Sequence, residues 1–147
     1  MKALSVKSPH AQRIAIGRKT LEIRSRRTHY RGDLLICVSK RASAGLRDYH
    51  GAYLGHAICV AELYDCRAML PGDEADACHP FLPGQFVWKL RNVRIIRPFP
   101  VKGQLSMFDV DDSLIHYRRT LEERLSFPRT EFPPSQFTES RSSFALA

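Results

Sequence analysis

No apolar run in the chain approaches the ~20 residues that cross a bilayer, so a membrane-spanning helix is excluded. The opening MKALSVKSPH lacks the apolar stretch of a secretory leader, and a cytoplasmic protein is expected. The four cysteines, Cys37, Cys59, Cys66 and Cys78, form no C-x-x-C pair. Reduced thiols, mostly buried in strands, are expected rather than a disulfide framework. Cys66, Cys78 and His79 come nearest to a metal-ligand group, but zinc needs clustered ligands. No metal and no cofactor is therefore expected. A glycine-rich phosphate loop, a Ser-His-Asp or Cys-His order and internal repeats are all missing. His10, His29, His50, His56, His79 and His116 are scattered, and each alone reads as a surface or satisfied side chain.

Acidic residues are scarce in one place. Residues 1–41 carry eleven Lys/Arg against Glu22 and Asp33, a balance of +9 within a net charge of +8. The rest of the chain holds 12 basic and 13 acidic residues. A one-sided basic field is the footprint of a polyanion partner, usually nucleic acid. With 147 residues, of which 44% are hydrophobic, one domain with a tail is expected.

Taken in order, Lys2–Val6 reads as a first strand. Ser8 as N-cap and Pro9 in the first helical position start a short helix, which Gly17 ends in left-handed geometry. Thr20–Arg24 alternates, with Leu21 and Ile23 on one side and Thr20, Glu22 and Arg24 on the other. SRRTHYRG, residues 25–32, is a basic loop. It can meet phosphates through Arg26, Arg27 and Arg31 and stack a base on Tyr30, or be a plain solvated hairpin loop. DLLICVS, residues 33–39, is apolar throughout and predicts a central buried strand, with Ser39, Lys40 and Arg41 at its end. A helical turn is expected over 42–50, and strands over 54–65, 85–96 and 105–110. A long loop over 67–84 is either functional or mobile. Pro98 and Pro100 are expected to break the chain. Asp111–Ser113 is expected to cap a helix to about Leu125. The segment 127–147, rich in Pro, Ser, Thr and Phe, has no periodic face and reads as an extended tail.

Gly17-x-Lys19-x-x-Glu22-x-Arg24 resembles the G-x-K-x-x-E-x-R signature of the ASCH domain family, a branch of the PUA-like superfamily. ALSVKSPHAQRIAIGRKTLEIRS, YRGDLLICVSKR and FVWKLRNVRIIRPFPVKGQLSMFDV resemble the family's blocks in order and spacing, over about Lys2–Val110. The resemblance implies an α+β fold. Its parts are a small PUA-like β-barrel with flanking short helices over residues 1–110, and a C-terminal helix and extended tail over 111–147. It also implies a cleft beside the signature segment. The family is associated with RNA binding, and some members hydrolyse RNA or modified nucleosides. In members that resemble acetylcytidine amidohydrolases, the lysine matching Lys19 is catalytic, whereas the residue matching Glu22 is a threonine.

The residue chemistry admits binding and catalysis alike. Lys19 can hold a phosphate, or move a proton if desolvation lowers its pKa. Glu22 can orient Lys19, pair with Arg24 or activate water, and Arg24 suits a phosphate or Glu22. The first expectation is an RNA- or nucleotide-binding domain with a basic cleft formed by Lys19, Thr20, Glu22, Arg24, Ser39 and Lys40. Lys102 and Gln104 form its rim, and Arg26, Arg27 and Tyr30 contact the ligand. The second is a metal-independent hydrolase, a ribonuclease or modified-nucleoside amidohydrolase, with Lys19 and Glu22 catalytic. The third is a protein-interaction module using the phenylalanine-rich tail.

Overall fold

The computed structural model describes residues 1–42 and 53–119. The element order is β1 (Lys2–Ser8), α1 (His10–Ala15), β2 (Leu21–Arg24), β3 (Gly32–Ala42), β4 (His56–Ala68), α2 (Glu74–Ala77), β5 (Phe86–Pro100) and β6 (Phe108–Asp109). Single 3-10 turns lie at Pro71–Asp73 and Asp112–Leu114.

The apolar run of β3 occupies the middle of the sheet because both of its faces are covered. Leu34, Ile36 and Val38 pack with Leu4, Ile58, Leu63 and Trp88, under the Ala11 and Ile14 face of α1. Leu35 and Cys37 point the other way, onto Ala57, Val60, Ile96 and Phe108. A third, smaller cluster joins Leu21 of β2 to Val87, Met69 and Ala77. Cys37, Cys59 and Cys66 are buried free thiols, and Cys78 is partly buried.

The six strands form one mixed sheet in the order β2-β5-β4-β3-β1-β6, parallel only between β1 and β3. The expected barrel is therefore corrected: the sheet is open, with β2 and β6 as its edges among the described residues. It is nevertheless bent. In a flat sheet β2 and β1 would stand four strand spacings apart, about 19 Å, beyond the reach of an arginine. Yet Arg24 Nη2 on β2 donates to the Ser5 carbonyl on β1 at 2.8 Å. One side chain thus spans the gap that a backbone ladder would close in a barrel.

Several local expectations are also corrected. Ser8 caps no helix, because β1 keeps its pairing with β3 as far as Ser8 and Ala42; Pro9 takes the N-cap position instead. The 67–84 stretch is not structureless. Arg67 forks onto Asp73 at 2.7 and 2.8 Å, and Asp73 also accepts from the Leu70 amide at 2.8 Å, which sets up the 3-10 turn and α2. Pro98 and Pro100 do not break β5. Its pairing with β4 extends to His56 and Pro100, while β2 covers only Phe86–Lys89, so the prolines sit where no strand needs their amides. The last strand shrinks to Phe108–Asp109, the length that pairs with Lys2 and Ala3.

After Val110 no helix forms among the described residues. Asp111 Oδ1 accepts from the Ser113 amide at 2.9 Å and closes a single turn. The chain then extends, Tyr117 bridging to Ile96 and the Arg118 amide donating to the Ile95 carbonyl. Residues beyond 119, and the turn expected over 42–50 apart from its first residue, lie outside the described residues. Among the described residues no helix is long and apolar enough to cross a membrane.

Candidate functional site

A cleft of about 880 Å³ opens between β1, β2, the end of β3 and the 102–105 segment. It is the space that Arg24 bridges. Six cations line it: Lys7, Lys19, Arg24, Lys40, Arg41 and Lys102; Glu22 is the one carboxylate among its described lining residues.

Lys19 reaches this place by local rules. Gly17 adopts φ +79°, a conformation that glycine takes without steric penalty, and ends α1. The Arg18 and Lys19 amides both donate to the Arg13 carbonyl, which turns the chain towards β2. The Thr20 amide donates to the Asp76 carbonyl at 3.0 Å, and the Thr20 carbonyl accepts from the Leu90 amide at 2.8 Å. These bonds bring α2 beneath the signature, and Lys19 Nζ donates to the Ala77 carbonyl. The Lys19 side chain is only 2% exposed and lies 3.8 Å from Glu22 Oε2. Burial pushes its pKa down, the Glu22 carboxylate working against that shift.

Glu22 stands between two cations, with Arg24 Nε 3.5 Å from Oε1. Its Oε2 is buried without a hydrogen-bond partner. The carboxylate thus keeps one acceptor free of any hydrogen bond beside Lys19. Arg24 is held by Ser5 and lies 5.9 Å from the centre of the Trp88 ring. Trp88 in turn donates from Nε1 to the Arg26 carbonyl at 3.0 Å. Lys40 stretches its stem across Gly55, where a Cβ would come within 2.9 Å of Lys40 Cε. Gly55 is therefore what lets Lys40 lie along the wall.

The structure brings Lys19, Glu22, Arg24, Ser39, Lys40, Lys102 and Gln104 to one cleft. It does not bring Thr20, Arg26, Arg27 or Tyr30 into its lining. Arg27 covers the Phe86 ring at 4.9 Å, and Tyr30 donates to the Asp33 carbonyl at 2.5 Å, so both are engaged within the fold. Arg31, in the same loop, donates to the Thr28 and Tyr30 carbonyls.

Sequence reasoning missed Lys7, His10, His79 and Leu105, which also line the cleft. Lys7 follows Ser5 with the period of a strand and could have been read. His10 and His79 lie far apart in the sequence, and their ring centres come within 6.3 Å only through the fold. Among the described residues there is no cluster of three or more His, Cys, Asp or Glu suited to a metal.

Comparison with known proteins places this geometry in a family context. The model of the ASCH domain matches residues 4–100. No curated protein matches the chain. The crystal structure of ASCH from Zymomonas mobilis is similar, with a TM-score of 0.53, 15% identity, and coverage of 86% of this chain and 94% of that one. A tyrosine-to-phenylalanine mutant of that protein aligns with a TM-score of 0.54 at 16% identity, covering 78% of this chain and 97% of the other. At these identities the likeness establishes the fold.

Proposed function

The chain belongs to the ASCH domain family, and from that premise we propose that it binds single-stranded RNA, or a nucleotide unit of it, in the cleft beside the signature segment. The observation that carries this reading is the lining: six cations converge on a cleft with one carboxylate. A lining so one-sided repels itself when empty and suits a polyanion. Lys40, Arg41, Lys102 and Lys7 are exposed and offer phosphate contacts, whereas Arg24, pinned to Ser5 across the open sheet, offers a fixed fork. Ser39 and Gln104 add neutral polar groups at the rim. Residues 1–110 are the functional unit in this reading, and 111–147 are an appendage to it.

A second reading, a hydrolase acting on RNA or a modified nucleoside, is favoured by a specific pair. Lys19 is too deeply buried to serve as an outer phosphate contact, and its lowered pKa suits proton transfer. Glu22, one of whose carboxylate oxygens has no hydrogen bond, can accept a proton from water or hold the lysine in register.

One set of measurements separates the two. Fluorescence anisotropy of a labelled single-stranded RNA across a salt series should give a slope of about −0.7 per phosphate contacted. Arg24→Ala and Lys40→Ala should each weaken binding and flatten that slope. Product formation is then followed for Lys19→Arg and Glu22→Gln. Retained binding with lost turnover supports the hydrolase, and no turnover in the parent leaves binding alone. A salt-independent affinity, or Arg24→Ala and Lys40→Ala that bind like the parent, would overturn the cleft as the RNA site.

A further inference from the structure

We propose that His79, backed by His10, is the base-selecting end of the cleft, favouring a nucleobase that presents an exocyclic amine over one that presents a carbonyl at the same position. The inference rests on the nucleotide-binding reading above and adds the class of base.

The argument starts from a tautomer. His79 Nδ1 lies 2.8 Å from the Pro80 carbonyl. A carbonyl oxygen can only accept, so Nδ1 carries a proton, and whenever the ring is neutral Nε2 is the nitrogen with the lone pair. The bond selects one tautomer of the neutral ring, with Nε2 as acceptor. A neutral histidine can otherwise exchange its donor and acceptor nitrogens to suit a ligand; this one loses its bond to Pro80 if it does.

The surroundings sharpen that role. The six lining cations can only donate, so a phosphate and any carbonyl of the ligand are already served. Ser5, Ser25, Ser39, Gln85 and Gln104 in the lining can donate or accept as a ligand requires, so they select nothing. The groups that accept and do not readily swap roles are Glu22, at the Lys19 end, and the neutral imidazoles. His10 sits beside His79, ring centres 6.3 Å apart and tilted by 47°. Its Nδ1 is buried and has no hydrogen-bond partner. Burial, together with the charges of Lys19, Arg13, His79 and Lys7, holds its pKa down at about 3, so the His10 ring stays neutral at ordinary pH. Lys19 fastens to Ala77, two residues before His79, so the proposed base-reading residue and the signature lysine share one short segment. Leu82, also in the lining, gives the apolar surface against which a base plane can rest.

An amine such as that of adenine or cytosine donates to Nε2. A carbonyl placed there, as in hypoxanthine or uracil, sets lone pair against lone pair. Because His79 is half-buried rather than sealed, the discrimination is modest, about fivefold, the lower end for a mismatched hydrogen-bonding group.

The test measures the affinity of the full chain for AMP, IMP, CMP and UMP, and for trinucleotides of the same bases, at low salt. AMP is expected to bind about fivefold more tightly than IMP, and CMP than UMP. His79→Phe keeps a ring but loses the nitrogen, and His79→Gln can both donate and accept; in each the two ratios should fall to about one. His10→Phe tests the backing residue and should narrow the ratios without reversing them. Equal binding of all four by the parent, or ratios that survive both His79 variants, would overturn the base-selecting role while leaving the cleft as a nucleotide site. Absence of binding by every mononucleotide and trinucleotide would overturn the nucleotide reading itself and the inference with it.

Discussion

Removing Lys19 and Glu22 together should leave the fold as stable as before, or more so, while removing Glu22 alone should damage it. At their 3.8 Å separation, with an effective dielectric constant of about 20, the attraction of the pair is about 4 kcal/mol. Against that stands the desolvation of two ions, several kcal/mol each. The Lys19 side chain is 2% exposed and that of Glu22 11%, so neither keeps much water. The downward shift of the Lys19 pKa says which side prevails for the lysine: burial outweighs the carboxylate. Glu22→Leu leaves that ammonium with the Ala77 carbonyl alone and should lose about 3 kcal/mol. Lys19→Met is milder, about 1 kcal/mol, because Arg24 still faces Glu22 at 3.5 Å. The double variant Lys19→Met/Glu22→Leu removes both desolvated charges and should come within about 1 kcal/mol of the parent or exceed it. Urea unfolding followed by the fluorescence of Trp88, the sole tryptophan of the chain, gives all four corners of the cycle. RNA binding or turnover should fail in the double variant despite its stability. A double variant that loses the sum of the two single losses would refute the argument and make the pair a structural ion pair.

Three further outcomes follow from other residues. Gly55→Ala should lose about 1–2 kcal/mol, because Gly55 has φ +74° and the new Cβ would press on Lys40; an unchanged urea midpoint would contradict this. His10, neutral in the fold to about pH 3 but protonated in the unfolded chain below its ordinary 6.5, should make stability fall as the pH drops from 6.5 to 3. The loss is about 1.4 kcal/mol per pH unit, and His10→Gln should flatten that slope between pH 7 and 5; parallel slopes would deny the burial. Removing 127–147 should leave the domain folded, since that stretch has no periodic apolar face of its own; a truncated chain without a cooperative melt would show the reverse.

What could be read from the sequence were features with local causes. Leu34–Val38 announces a strand covered on both faces because no polar residue interrupts it. Gly17 announces a helix end because few other residues adopt its φ. Glu22 and Arg24 fall on one side of β2 because strand side chains alternate. The rest depends on distant partners. The sheet is open and Arg24 meets Ser5 across it with a side chain, a fact of tertiary distance that no period encodes. Asp111–Ser113 reads as a helix cap, yet pairing of Tyr117 with Ile96 takes the chain another way. Arg27 and Tyr30 have the chemistry of RNA contacts, but Phe86 and the Asp33 carbonyl claim them first. His10 and His79, far apart in sequence, meet only through tertiary packing.

The central claim is that the ligand occupies the space bridged by Arg24. Backbone amide shifts of the full ¹⁵N-labelled chain, titrated with a short single-stranded RNA at low salt, test it directly. The largest changes are expected at Ser5–Lys7, Glu22–Arg24, Ser39–Arg41 and Lys102–Gln104, and Arg24→Ala should abolish them. Changes confined to Arg26–Arg31 or to His116–Arg119, with those four segments unmoved, would contradict it.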